Sequence, residues 1–188
     1  MQEVVIFDID GTLAITSPER LKFLKPRTGS PVEYNGGKFV FLEELKTKEN
    51  LAAVENEHGI FLADKRKIKF SPDYDAFNNS LEKDICHPKV VAICQALAEQ
   101  YPIYICTGRE QKFRERTEKW LESHGIPYNK LWMRPDGNKD SDAVIKKTML
   151  DAIQRTCNVV AVFDDRDKVV DMWRENGMLC CQVAKGEY

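Results

Sequence analysis

The chain has 188 residues, of which 43% are apolar and 31% charged, and its formal net charge is −2. That length suits one globular domain carrying an insertion, and the near-neutral charge excludes the broad basic excess of proteins that coat nucleic acid. No apolar run approaches the roughly 20 residues of a membrane-spanning helix, and the opening MQEVVIFDID leads straight into strand-like sequence rather than a secretory signal, so a cytoplasmic setting with no membrane partner is expected.

Residues 4–7 form a continuous apolar run that predicts a buried strand. Asp8, Ile9, Asp10, Gly11 and Thr12 follow at once. In extended chain, residues two apart share a face, so Asp8 and Asp10 can serve one reaction centre at the carboxyl edge of a sheet, where α/β proteins bind ligands. Two acids at that edge point to phosphoryl chemistry. Residues 15–79 then break the rhythm with Pro18, Pro26, Gly29, Pro31, Gly36, Gly37, Gly59 and Pro72. This stretch is expected to be an insertion or small cap, interrupting a core built from 1–14 and 80–188. Within it, residues 38–42 read as extended, 43–57 as helical, and 60–70 as a hairpin turning near Asp64 and Lys65.

Beyond residue 87, helical and extended patterns alternate. A helix is predicted over 87–101, with Val90, Val91, Ile93, Cys94, Leu97 and Ala98 at helical spacing and Pro88 in its first turn. A strand over 103–106 follows, then a charged helix over 111–124 that turns Phe113, Trp120 and Leu121 inward. A short strand over 131–133, a helix over 140–156, an apolar strand over 159–163, a helix over 168–176 and a last strand over 178–183 complete the series. With the first strand this makes five. The expected fold is α/β, a Rossmann-like three-layer sandwich with a central, mainly parallel five-stranded sheet and a cap-like insertion after the first strand. A parallel arrangement brings the polar residues after Phe7, Cys106 and Phe163 onto one rim.

Cys86, Cys94, Cys106, Cys157, Cys180 and Cys181 show no C-x-x-C spacing and make no recognisable zinc set with His58, His87 or His124. Reduced thiols are expected. Trp120, Trp132, Met172 and Trp173 fall at spacings of buried packing residues. Lys65, Arg66, Lys67 and Lys69, interleaved with Ile68 and Phe70, read either as a nucleic-acid contact or as a solvated strand face, and Arg20, Lys22 and Lys25 pose the same alternative.

Asp8, Asp10, Gly11 and Thr12, then Thr107, Gly108 and Arg109, then Lys146, then Asp164 and Asp165 resemble the four ordered motifs of the haloacid dehalogenase superfamily. A closer resemblance is to the phosphatase domain of the phage polynucleotide kinase/phosphatase family. It rests on FDIDGTLA, TGRE, DAVIK, FDDRDKVVDMWRENG and the closing QVAKGEY, with DYDAF and HPKVV in support. The stretch between Lys25 and Pro72 departs from that family's compact domain. The chain carries no G-x-x-x-x-G-K-[ST] phosphate loop, so kinase activity has no support in it.

The resemblance implies a phosphomonoesterase with Asp8 as nucleophile, Asp10 as acid and then base, and Lys146 neutralising the phosphate and the attacking carboxylate. It implies Mg2+ on Asp8, the backbone carbonyl of Asp10 and Asp164, with Asp165 as an alternate or supporting ligand. Thr12, Thr107, Gly108, Arg109 and Asp142 are the expected substrate-binding residues. Thr107 alternatively caps a turn, and Arg109 alternatively pairs with Glu110. Asp142 lies one helical turn before Lys146, so it either orients that lysine through an i, i+4 contact or makes a solvated surface pair. Arg166 and Asp167 read as a cap of the following helix. The implied substrate is a 3′-phosphate on a DNA or RNA end. A nucleotide or other small-molecule phosphatase, and a non-catalytic nucleic-acid-binding module, remain alternatives, and the oligomeric state is open.

Overall fold

The computed structural model describes residues 1–45 and 50–185. Two compact units divide the chain, one formed by Met1–Thr16 with Asp84–Tyr188 and the other by Ser17–Lys83.

Alternation of apolar side chains sets the layers of the first unit, because successive residues of a strand face opposite sides. Val5, Phe7, Ile103 and Ile105 join Val90, Val91, Cys94, Trp120 and Leu121 in one cluster. Val4, Ile6, Tyr104 and Cys106 join Ile145, Met149, Leu150, Ile153, Val169, Val170 and Trp173 in another. Helices Pro88–Ala98 and Arg114–Ser123 thus cover one face, and Asp142–Gln154 and Asp167–Glu175 the other. A sheet buried on both faces is the setting in which parallel strands occur. The strands run in the order Lys130–Arg134, Ile103–Glu110, Gln2–Phe7, Cys157–Asp164, Cys180–Gln182, all parallel. This is the expected α/β sandwich. From Gln2–Phe7 the chain steps outward to one side and later to the other, which creates a switch point at the carboxyl edge.

Boundaries differ from expectation where local hydrogen bonding intervenes. Strand Ile103–Glu110 continues past Cys106 through Thr107, Gly108 and Arg109. Its pairing jumps from Met133 opposite Thr107 to Arg134 opposite Glu110, a bulge of the kind that re-aims side chains beside sites. The helix predicted over 111–124 opens with a 3-10 turn, Gln111–Phe113, before Arg114–Ser123. The helix predicted over 140–156 shortens to Asp142–Gln154, because Ser141 Oγ accepts from the Val144 N–H and sets its start.

The second unit is a five-stranded antiparallel sheet in the order Gly59–Asp64, Leu51–Asn56, Gly37–Glu44, Ser30–Tyr34, Ile68–Lys69. Val32, Phe41, Ala52, Val54 and Ala63 form its core. Two expectations are overturned. The helix over 43–57 is replaced by the strands Gly37–Glu44 and Leu51–Asn56, and its residues 46–49 lie outside the described residues. Leu51, Ala52, Ala53 and Glu55 favour a helix locally, but Ala52 and Val54 alternate inward against Phe41 and Ala63, and packing outweighs weak propensity. The hairpin over 60–70 also fails to form. Gly59–Asp64 pairs back onto Leu51–Asn56, and the 3-10 turn Lys65–Lys67, capped by Asp64 accepting from the Arg66 N–H at 3.0 Å, carries the chain to the opposite edge. There Ile68–Lys69 pairs with Ser30–Tyr34.

Three cations of the basic stripe are paired within this unit. Lys65 pairs with Glu44, Arg66 with Asp64 at 2.7 Å, and Lys69 with Glu33 at 3.6 Å. Arg20 is no surface contact: it is buried, with its guanidinium 3.9 Å from the Phe77 ring centroid and its Nε donating to the Phe77 carbonyl at 2.9 Å. Among the described residues, no helix is long and apolar enough to cross a membrane. All six cysteines are free thiols.

Ile105 is fully buried in the sheet, where truncation leaves a cavity that a close-packed core cannot fill. Ile105→Ala should therefore lower the unfolding free energy by about 2–5 kcal/mol, read as a lower urea midpoint with an unchanged m-value.

Candidate active site

Three adjacent strand ends build the site. Asp8 follows the central strand, and its N–H donates to the Phe163 carbonyl at 2.9 Å. The preceding Phe7 ring stacks on Phe163 with centroids 4.4 Å apart, which fixes the two strands in register just before their acids. Asp164 ends the neighbouring strand and Asp165 follows it. Asp8, Asp164 and Asp165 each offer a carboxylate oxygen within 4.8 Å of the others, and all three are buried.

Lys146 is the cation among them. It is buried on the helix Asp142–Gln154, and its Nζ lies 2.8 Å from Asp8 Oδ1 and 2.8 Å from Asp164 Oδ2. Burial is the largest influence on this ammonium and works against its charge, yet Asp164 and Asp8 together hold its pKa above the ordinary lysine value. Asp8 shows the converse. Burial raises its pKa well above the usual carboxylate range, Lys146 opposes the rise, and Asp164 and Asp165 add to it. Asp165 is pushed up to about 6 by burial and then by Asp164, against Lys146 and Arg166. Three carboxylates against one buried ammonium leave an excess of negative charge that a proton or a cation must neutralise. A set of hard oxygen donors so arranged fits a divalent ion such as Mg2+.

The two acids after the last long strand differ in what surrounds them. Asp164 Oδ1 accepts from the N–H groups of Asp165 and Arg166 at 3.0 and 3.3 Å, while Oδ2 accepts from Lys146 and from the Trp173 indole at 2.8 and 3.1 Å. Asp165 Oδ1 accepts from the Thr12 hydroxyl at 3.4 Å. Gly11 explains how Asp165 comes so close to the first loop: its φ is +90°, and a Cβ there would sit 2.2 Å from Asp165 Oδ2.

Asp10 turns to a different partner. Arg109 Nε and Nη2 donate to its two carboxylate oxygens at 2.7 and 2.8 Å, a bidentate pair, and Nη2 also lies 3.5 Å from Asp84 Oδ2. Thr107 Oγ1 accepts from the Arg109 N–H at 3.2 Å. Of the two readings left open for Asp142, the i, i+4 contact with Lys146 does not form. Asp142 instead binds Arg134 through Oδ1 and Arg166 through Oδ2, since two guanidinium groups from separate elements outcompete a lysine already held between Asp8 and Asp164. Gly108 makes room for this arrangement: a Cβ on it would meet Asp142 Oδ1 at 2.5 Å, and its carbonyl accepts from Arg134 Nε at 2.9 Å.

Asp8, Asp164 and Asp165 are thus gathered in one cluster, with Lys146 bonded to Asp8 and Asp164. Around them Thr12 bonds Asp165, Thr107 bonds the Arg109 backbone, Arg109 bonds Asp10, Asp142 bonds Arg134 and Arg166, and Gly108 leaves room for Asp142. Sequence reading missed Asp84, Arg134 and the role of Trp173, and it confined Arg166 to capping. Arg134 had one signal, its place at the end of a strand on the same rim; Asp84 had none.

A doubly wound α/β unit with this acid–lysine cluster at its switch point is a phosphatase of the haloacid dehalogenase class, a phosphoric monoester hydrolase. Residues 69–188 match the polynucleotide kinase PNKP phosphatase domain, and the chain belongs to that family. A protein of Autographa californica nuclear polyhedrosis virus, assigned as a bifunctional polynucleotide kinase/RNA ligase, is 34% identical over 106 residues, covering 54% of this chain and 15% of its own length. A chain of the Pnkp1/Rnl/Hen1 RNA repair complex superposes on 100% of this chain and 44% of itself, with a TM-score of 0.65 and 26% identity. A haloacid dehalogenase-like hydrolase of Streptococcus pneumoniae, at TM-score 0.53 and 14% identity over 97% of this chain and 84% of its own, shares the fold. The chain therefore spans less than half the length of the viral and repair-complex relatives.

Gly11→Ala should displace the Asp165 carboxylate and weaken Mn2+ or Mg2+ binding by about 10–100-fold, measured by calorimetric titration, with far-UV circular dichroism unchanged.

Proposed function

We propose that this chain is a Mg2+-dependent polynucleotide 3′-phosphatase working through an aspartyl phosphate on Asp8. The observation that carries the reading is the buried trio Asp8, Asp164 and Asp165 with Lys146 between two of them. Support for a nucleic-acid end as substrate comes from the polynucleotide kinase phosphatase family and from relatives named for polynucleotide kinase and RNA repair.

Asp8 attacks phosphorus through a carboxylate oxygen, the bond from phosphorus to the leaving 3′-oxygen breaks, and Asp10 gives that oxygen a proton. Asp10 then takes a proton from water, whose oxygen attacks phosphorus and releases phosphate and Asp8. Lys146 remains charged throughout and offsets the anionic charge gathering on Asp8 and the phosphoryl group. A bound divalent ion would screen the approach of one anion to another. Asp8, the Asp10 carbonyl and Asp165 are the ligands favoured by hydrogen-bond accounting. Asp164 has both oxygens occupied by four protein donors, so it serves to fix Lys146 and support the ligands rather than to bind the ion directly. Asp142 holds Arg134 and Arg166 ready for substrate phosphate, and Arg166 already feels the charges of Asp8, Asp10 and Asp165. The unit Ser17–Lys83, inserted between Asp10 and Thr107, is assigned as the substrate-selecting cap.

Asp8→Asn should abolish phosphate release from a 3′-phosphorylated oligonucleotide while leaving the fold intact; near-normal turnover would remove Asp8 from its role. In the same assay, 5′-phosphorylated oligonucleotides, mononucleotides and sugar phosphates should be poorer substrates, and a preference for mononucleotides would overturn the polynucleotide assignment. Chelation should stop turnover. Asp165→Asn should raise the Mg2+ concentration for half-maximal activity by about 10–100-fold, whereas Asp164→Asn should chiefly lower the maximal rate.

A further inference from the structure

We propose that Asp84 is a positioning residue for proton transfer: it fixes Arg109, which in turn fixes the carboxylate of Asp10. This rests on the phosphomonoesterase reading above, in which Asp10 protonates the leaving oxygen. Asp84 and Arg109 have side chains 0% and 2% exposed, whereas the Asp10 side chain is 25% exposed. A carboxylate open to solvent on one side has rotamer freedom that a buried one lacks, and Asp10 is therefore the member of this chain of charges that needs holding.

Arg109 supplies the hold, but a long guanidinium side chain grips only as firmly as it is itself placed. The same nitrogen, Nη2, faces Asp10 at 2.8 Å and Asp84 at 3.5 Å, so the two carboxylates set the in-plane orientation of the fork between them. Nη1 of Arg109 is buried with no hydrogen-bond partner. The fork is thus oriented by its two acids rather than by full satisfaction of its own donors.

Asp84 is also held through its backbone. Its carbonyl accepts from the Trp120 indole at 3.2 Å, and the Trp120 ring centroid lies 5.9 Å from the Arg109 guanidinium carbon. The next two residues, Ile85–Cys86, pair antiparallel with Ala14–Ile15, and Ala14 bridges back to Asp10. Asp84 is therefore carried on the same backbone ladder as the loop whose acid it helps to orient.

A positioning role and a merely structural one separate on leaving-group chemistry. A 3′-phosphorylated oligonucleotide releases an alkoxide that needs the proton from Asp10, whereas p-nitrophenyl phosphate releases a phenolate that is stable without one. Because kcat/KM reports only the steps through departure of the leaving group, water activation later in the cycle does not enter the comparison. Asp84→Asn should lower kcat/KM on the oligonucleotide by about 10–100-fold and on the aryl ester by less than about 3-fold. Trp120→Phe keeps most of the ring volume while removing the donor to the Asp84 carbonyl, and should show the same selectivity at smaller amplitude. It decides the matter if Asp84→Asn does not melt cooperatively. Equal proportional losses on both esters, or no loss on either, would overturn the assignment. A wild-type chain inactive on both esters would overturn the phosphomonoesterase reading itself, and the two failures are told apart by that control.

Discussion

A single buried ammonium governs the site. Lys146 sits 2.8 Å from carboxylate oxygens of both Asp8 and Asp164, on a helix whose other inward residues, Ile145, Met149, Leu150 and Ile153, are pure packing. Desolvating one lysine and two aspartates is unfavourable by several kcal/mol per ion, and it is tolerated only where geometry is good and the remaining donors and acceptors are satisfied. The parallel sheet supplies that geometry. It brings the ends of Gln2–Phe7 and Cys157–Asp164 side by side, and the crossover helix Asp142–Gln154 lies against the same face as Ile6 and Val162. Move either strand by one residue and the lysine faces the wrong side chains.

Around that pair, four aspartates of identical chemistry are separated by environment alone. Asp8 is raised by burial and restrained by Lys146. Asp164 is saturated by donors, two of them backbone N–H groups at the start of Asp167–Glu175. Asp165, pushed up to about 6, has Thr12 and the open approach provided by Gly11. Asp10 is pinned by a guanidinium on both oxygens. On the proposed reading, phosphoryl transfer through a covalent intermediate needs one acid to attack and another to move protons, and the different partners of Asp8 and Asp10, an ammonium for one and a guanidinium for the other, hold each carboxylate at its own place in the site.

What could be read from residues alone follows the range of the interactions involved. Apolar alternation over 4–7 and after residue 87 carries the five-stranded sheet because burial on two faces is written locally. Asp8, Asp164 and Asp165 stood out as candidates because each follows an apolar strand, whereas Lys146 was singled out from its neighbour Lys147 by the resemblance to the family's motif. Asp142 was placed on its helix with two pairings left open, and helical spacing could not supply the actual partners, Arg134 and Arg166, which arrive from two other elements. Asp84 follows a change of unit and precedes a two-residue strand, so nothing local marks it. Leu51–Asn56 shows the limit of propensity: its alanines and glutamate speak for a helix, and its neighbours across the sheet overrule them.

Trp173 shows why packing and chemistry cannot be assigned to separate residues in this fold. Its spacing marks a core position, and it is fully buried among Ile145, Met149, Val169 and Val170. Its indole N–H nevertheless reaches Asp164 at 3.1 Å, on the same oxygen that receives Lys146. A buried indole N–H needs an acceptor, and a buried carboxylate needs donors; each requirement is met by the other. The helix that completes the core therefore also holds the acid that holds the lysine. Any looseness in its docking reaches Asp8 through only three contacts, Trp173 to Asp164, Asp164 to Lys146 and Lys146 to Asp8, so the stability of the core and the preorganisation of the site draw on the same packing.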